Sequence, residues 1–200
     1  MSVEQFLALF TALSLAILTP GPAIIAAVQT AFAHGRERAL PYALGLAVGA
    51  SLWCIFALLG LAVVFRLHPT LFVAMKIFGG LYLLWFAFGL WRASTQPLPD
   101  PARGTTKGFW GGITLNLSNP KPALFYAALI LSIFPQKIEA PRQLLIYFIC
   151  LATELFWYAL VATIMSTGPM RARYFAAKFW IDRLAATAMA LLGLLLIFHH

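Results

Sequence analysis

The chain has 200 residues, 62% of them hydrophobic and only 10% charged, with a mean hydropathy of +0.87. A soluble globular domain is about half apolar and about a quarter charged, so water is not the solvent for most of this surface. That balance excludes a soluble enzyme with an added anchor, a disordered chain and a nucleic-acid module. The formal charge of +8 is spread over short stretches between apolar runs, where it orients a membrane protein.

Six apolar segments follow one another along the chain: about 5–33, 41–65, 71–91, 109–134, 144–166 and 184–198. Spans of about 20 residues each would use roughly 120 residues and leave the rest for short connections. Runs of this length are expected to be helices, because in lipid every backbone N–H and C=O needs an internal partner. The N-terminal run resembles a secretory signal, but Met1-Ser2-Val3-Glu4 carries no Lys or Arg and the run is too long. The expectation is therefore an uncleaved first span. Helices one and four are interrupted, at Thr19-Pro20-Gly21-Pro22 and at Asn119-Pro120-Lys121-Pro122.

The one sizeable linker, residues 92–108, carries Pro97, Pro99 and Pro101 and divides the chain into halves at 1–91 and 109–200. Each half opens with a helix broken at a Pro-x-Pro, and Pro20 and Pro120 stand 100 residues apart. Each closes with a helix that starts near a cation and holds a glycine further on, Lys76 with Gly89 and Arg183 with Gly193. A unit of three spans is odd-numbered, so its second copy enters the membrane from the opposite side. The expected fold is an all-α integral membrane protein: six transmembrane helices as two inverted three-helix repeats, as in many secondary transporters.

Lys and Arg set the orientation. The loops after helices one, three and five hold Arg36, Arg38, Arg92, Arg103, Lys107, Arg171, Arg173, Lys178 and Arg183. Those after helices two and four, with the adjoining helix starts, hold Arg66, Lys76, Lys137 and Arg142. The richer set belongs in the cytoplasm, which puts both termini outside and residues 92–108 inside. Residues 171–183 interleave cations with Tyr174, Phe175, Phe179 and Trp180 and read as a segment lying along the inner leaflet.

Chemistry is expected where the helices break. Pro20 lies roughly 22 Å along helix one and Pro120 roughly 17 Å along helix four, at about 1.5 Å per residue. Both fall near the middle of a hydrocarbon layer about 30 Å thick. Each proline removes a donor and strips the preceding turn, and the next half-helix starts with bare N–H groups that attract carboxylates. Thr19, Pro20, Gly21, Pro22, Asn119, Pro120, Lys121 and Pro122 are therefore the candidate substrate site. Lys121 is the sharpest of them, since an ammonium at mid-depth costs at least about 2.5–3.5 kcal/mol on insertion scales. It faces a cavity and pairs either with a substrate carboxylate or with an internal acid. Glu154, again near mid-depth, is that acid and the candidate proton carrier; a salt bridge to Lys121 is the structural alternative. Gln29, Tyr126 and Tyr158 are candidate hydrogen-bonding groups in the cavity. Gly45 and Gly49 form a small-xxx-small pair, and Gly79-Gly80 thin helix three, both signs of close helix packing. Cys54 and Cys150 are too few for a disulfide framework or a metal site; no metal or other cofactor is expected.

The Thr19-Pro20-Gly21-Pro22 break, the glycine-spaced helix two, Lys76 followed by Gly79-Gly80-Leu81-Tyr82-Leu83, and Asn119-Pro120-Lys121-Pro122 before an apolar-aromatic run together resemble the LysE/RhtB family of bacterial amino-acid exporters. The resemblance covers essentially the whole chain. It implies efflux of an amino acid across the cytoplasmic (inner) membrane, driven by protons, with Pro20, Gly21, Pro22, Asn119, Pro120 and Lys121 as motif residues. Thr19 stands where Asn is frequent in that family. The expected function is a secondary transporter, not an enzyme, whose partners are an amino-acid substrate, protons and the bilayer; a homo-oligomer is left open and nucleic acid is not expected. Two other readings compete: a membrane thiol or electron carrier using Cys54 and Cys150, which lie on helices two and five, away from the proline breaks, with no partner thiol expected nearby, and a channel.

Overall fold

A computed structural model describes residues 1–19, 21–67, 69–96, 106–134 and 136–198. Within them the chain is helical: α1 (Val3–Leu18), α2 (Pro22–Leu67), α3 (Pro69–Ala93), α4 (Gly108–Leu117), α5 (Pro120–Ile133), α6 (Ala140–Ile164) and α7 (Gly168–Phe198). Local chemistry sets the boundaries. Ser2 and Gln5 cap α1 reciprocally, Gln5 N–H donating to the Ser2 hydroxyl at 3.2 Å and Ser2 N–H to Gln5 Oε1 at 3.1 Å. Thr19, the residue before Pro20, is extended at ψ 126°, as the proline ring demands. Pro22 and Pro120 each open the next helix, where a missing N–H costs nothing.

The long α2 is two helices joined at Gly35, whose φ of +71° only glycine adopts without strain. The first predicted segment is thus α1 plus the start of α2, the second is the rest of α2, and the fourth is α4 plus α5. Among the described residues three stretches are long and apolar enough to cross a membrane, Pro22–Gly60, Ala140–Ile164 and Ala176–Phe198; Val3–Leu18, Ile77–Ala93 and Lys121–Ile133 are shorter apolar helices. The linker residues 97–105 lie outside the described residues.

The exterior is apolar. Phe78 and Trp110 are more than two-thirds exposed, whereas Tyr42, Tyr126 and Asn116 are buried. Such a surface suits lipid. Two helix pairs approach backbone to backbone. A Cβ on Gly45 would overlap the carbonyl of Phe109, and one on Gly49 would come within 2.8 Å of the carbonyl of Ile113, so α2 and α4 touch through the predicted small-xxx-small face. α3 and α7 meet at Gly80 and Gly193, each of whose added Cβ would stand 2.8–2.9 Å from the other's carbonyl. Gly89, the glycine singled out in helix three, meets nothing within 4 Å among the described residues, and the glycine that faces Gly193 is Gly80.

Residues 171–183 correct an expectation. They do not lie apart from the last helix but form the early turns of α7, which begins at Gly168 rather than near 184. Lys178 is buried because it pairs with Asp182 one turn later at 2.7 Å and donates to the carbonyl of Ala93. Arg183 donates to the Ser94 hydroxyl at 3.0 Å and lies 3.6 Å over the Trp91 ring. Together these side chains tie the end of α3 to α7.

Candidate functional site

The two interruptions meet. A cavity of about 40 Å³ is lined by Thr19 and Gly21 from the first break and by Asn119, Lys121 and Pro122 from the second. Tyr126 from α5 and Glu154 and Tyr158 from α6 complete its polar wall, with Asn116 from α4. At roughly 10–15 Å³ per enclosed water, it has room for about three waters. Pro20 lies outside the described residues, as does the side chain of Pro120. Pro22 opens α2 but is exposed and not part of the lining.

Lys121 crosses from one break to the other. The Asn119 side chain caps α5 by accepting the Lys121 N–H at 3.1 Å, which orients the residue. Its Nζ then donates to the carbonyl of Ala16 at 3.1 Å. The last helical bond of α1 is Thr19 N–H to Leu15, so Ala16 offers the first carbonyl that the interruption leaves without a helical partner. The ammonium fills that role at the negative end of α1. It also lies 5.2 Å over the Phe86 ring of α3, and a Cβ on Gly21 would come within 3.2 Å of it. Lys121 does not pair with Glu154: among the described residues the ion pair is Lys178–Asp182.

Glu154 is 3% exposed and accepts the Tyr126 hydroxyl at 2.8 Å through Oε1, while its Oε2 has no partner among the described residues. Tyr158 lies 3.5 Å from the Asn116 amide nitrogen. Thr19 is fully buried in the lining, with its hydroxyl donating to Leu15 of its own helix at 2.6 Å. Gln29 is not in this cavity. It lines a separate one of about 690 Å³ between α2 and α4, with Thr30, Tyr42, Lys107, Trp110 and Ser118.

Sequence reasoning passed over three features. Asn116 is fully buried; its signal was an amide at mid-depth in an apolar run, where a polar group needs a reason. Asp182 is 1% exposed, with one carboxylate oxygen unpartnered among the described residues; in sequence it is hidden by the cations around it. The expected isolation of the cysteines is also overturned. Cys54 on α2 and Cys150 on α6 are both buried, and the Cys150 thiol adjoins the Cys54 thiol and the Tyr126 hydroxyl. Residues 96 apart in sequence become neighbours because α2 and α6 pack together.

Two proline-broken helices thus share one charged hollow, and comparison with known proteins supplies the family. The profile of the family described as LysE type translocator matches residues 14–200. The chain belongs to this family. Its members are translocators, not enzymes. The chain is 28% identical over 189 residues to the threonine efflux protein of Escherichia coli (strain K12), covering 91% of this chain and 92% of that protein. It is 25% identical over 188 residues to the leucine efflux protein of Klebsiella pneumoniae, covering 90% and 85%. It is also 24% identical to a membrane protein of Haemophilus influenzae, covering 92% and 91%. No solved structure matches the chain.

Proposed function

We propose that the protein is a secondary transporter that exports an amino acid or a related small zwitterion across the bacterial cytoplasmic membrane in exchange for protons. The observation that carries this reading is the ammonium of Lys121 in the hollow between the two breaks, with the acid Glu154 in the same wall. A zwitterion needs a cation for its carboxylate, and the helix starts at Pro22 and Pro120 add partial positive charge. A buried carboxyl that shares the hollow is suited to carry the proton. The relatives named for threonine and leucine efflux support a neutral amino acid as cargo.

In this reading residues 1–91 and 109–200 are inverted repeats of three spans, residues 92–108 are a cytoplasmic linker, and both termini lie outside. The cavity of about 690 Å³ beside Lys107 is the cytoplasmic entry. The opposite end is closed by Gln5, whose amide donates to Ile133 at 3.5 Å and accepts from Arg142 at 3.3 Å. The inner hollow, with room for about three waters, is too small for a whole threonine- or leucine-sized amino acid, so the half-helices part as cargo arrives.

The test is efflux from cells loaded with a panel of labelled amino acids, with and without a protonophore. The expected result is saturable efflux of at least one neutral amino acid that stops when the proton gradient collapses. No amino acid leaving faster than from cells lacking the protein overturns the reading.

A further inference from the structure

Among the described residues, two that line the hollow carry a buried acceptor oxygen with no donor. Asn116 Nδ2 donates to the carbonyl of Leu46 at 2.7 Å. A backbone carbonyl only accepts, so the amide nitrogen must be the atom beside it and the orphan is Oδ1. Glu154 spends Oε1 on Tyr126 and leaves Oε2 bare. Both residues are at least nine-tenths buried and line the hollow that Lys121 also lines. Buried acceptors left unmatched are costly, and these two lie on helices from different parts of the chain, α4 and α6.

We propose that Asn116 Oδ1 and Glu154 Oε2 together receive the α-ammonium of the exported amino acid while Lys121 receives its carboxylate. Resting on the exporter reading, this assigns Asn116 as a substrate-binding residue and gives the cargo a direction in the site. Several features favour it. An ammonium offers three donors on one compact cation, which suits two separate acceptors, one of them anionic. Lys121 does not fill that place in the structure: its Nζ donates to Ala16 and lies over Phe86, which leaves N–H donors for a carboxylate. Asn116 is also firmly held: its amide is bonded to Leu46, and its own carbonyl accepts from the Trp53 indole at 3.3 Å. A rigid acceptor discriminates better than a mobile one.

The experiment uses purified protein in proteoliposomes that export a labelled neutral amino acid. Competition is measured with the unlabelled amino acid and with its α-hydroxy acid, which keeps the carboxylate and side chain and lacks the ammonium. The hydroxy acid is expected to compete at least about tenfold more weakly, since it leaves charged and polar acceptors unmatched. In Glu154→Gln and in Asn116→Ala the label is followed by binding, and the gap between the two competitors is expected to narrow. Equal competition in the unaltered protein overturns the proposal, and so does a gap that both variants preserve. Efflux that requires sodium, with the two competitors equal, would give the oxygens to a metal cation instead and also overturn it. A protein that exports none of the amino acids tested fails at the earlier reading, before this comparison is reached.

Discussion

The ammonium of Lys121 donates to the carbonyl of Ala16 at 3.1 Å, so the second broken helix caps the end of the first. One side chain thereby couples the two interruptions, and its structural and transport roles can be separated by magnitude. Burying the ammonium costs at least about 2.5–3.5 kcal/mol on insertion scales, whereas a hydrogen bond to a charged group returns about 1.5–3 kcal/mol. Lys121→Met should therefore leave thermal stability in detergent unchanged or slightly raised while efflux falls to background. Measuring melting temperature and efflux together checks this. A large fall in melting temperature would make Lys121 a structural cap first.

The glycines offer a test with its own control. Gly45 and Gly112 lie where α2 and α4 touch; a Cβ on Gly112 would overlap the carbonyl of Tyr42, and backbone cannot step aside. Gly45→Ala and Gly112→Ala should each cost several kcal/mol, the range of severe overpacking, and folded protein in the membrane should drop sharply. Gly89→Ala, in open space, should be tolerated or stabilise α3 by up to about 1 kcal/mol. Folded yield by fluorescence-detected chromatography of the three variants checks the contrast. Equal yields would remove the close α2–α4 contact.

Much of this arrangement is legible in sequence because lipid leaves few options. Long apolar runs with Pro20-Gly21-Pro22 and Pro120-Lys121-Pro122 at mid-depth can only be interrupted helices, and Lys121 at that depth needs a polar setting. Gly45 and Gly49 announce a close contact by spacing alone. What stayed hidden depends on which helices are neighbours. Nothing in the order of residues says that α2 packs on α6, so the meeting of Cys54 and Cys150 was invisible. Gln29 lies two helical turns beyond the first break, about 10 Å along α2, and it lines the other cavity. Asp182 sits among the cations of residues 171–183, and its partner, Lys178, looks in sequence like one more of them. The buried pair becomes recognisable only once α3 is seen to end beside it.

That pair gives a third prediction. Lys178 and Asp182 are joined at 2.7 Å with side chains 9% and 2% exposed. Removing one partner strands the other charge, at a cost of about 3–5 kcal/mol for a buried pair, while replacing both with apolar residues is often neutral. Asp182→Leu should lower the melting temperature markedly, and Lys178→Met combined with Asp182→Leu should recover most of the loss. A double variant no more stable than Asp182→Leu alone would show that the two charges do not act as a unit.

The cysteines decide the last competing reading. Their closeness to each other and to Tyr126 is what a thiol relay would need. Yet both are fully buried, and a thiol that exchanges electrons with a partner must be reached by it. As packing groups they behave as small hydrophobes, so truncation should cost little more than the contacts of one sulfur atom each. Cys54→Ala combined with Cys150→Ala should retain efflux within about twofold and lower stability by roughly 1–2 kcal/mol in total. The same proteoliposome assay, run with and without a thiol reductant, provides the check. Normal membrane insertion with efflux abolished would return the thiols to the mechanism; unchanged efflux in both conditions leaves the cation, the amide and the carboxyl of the central hollow to do the work.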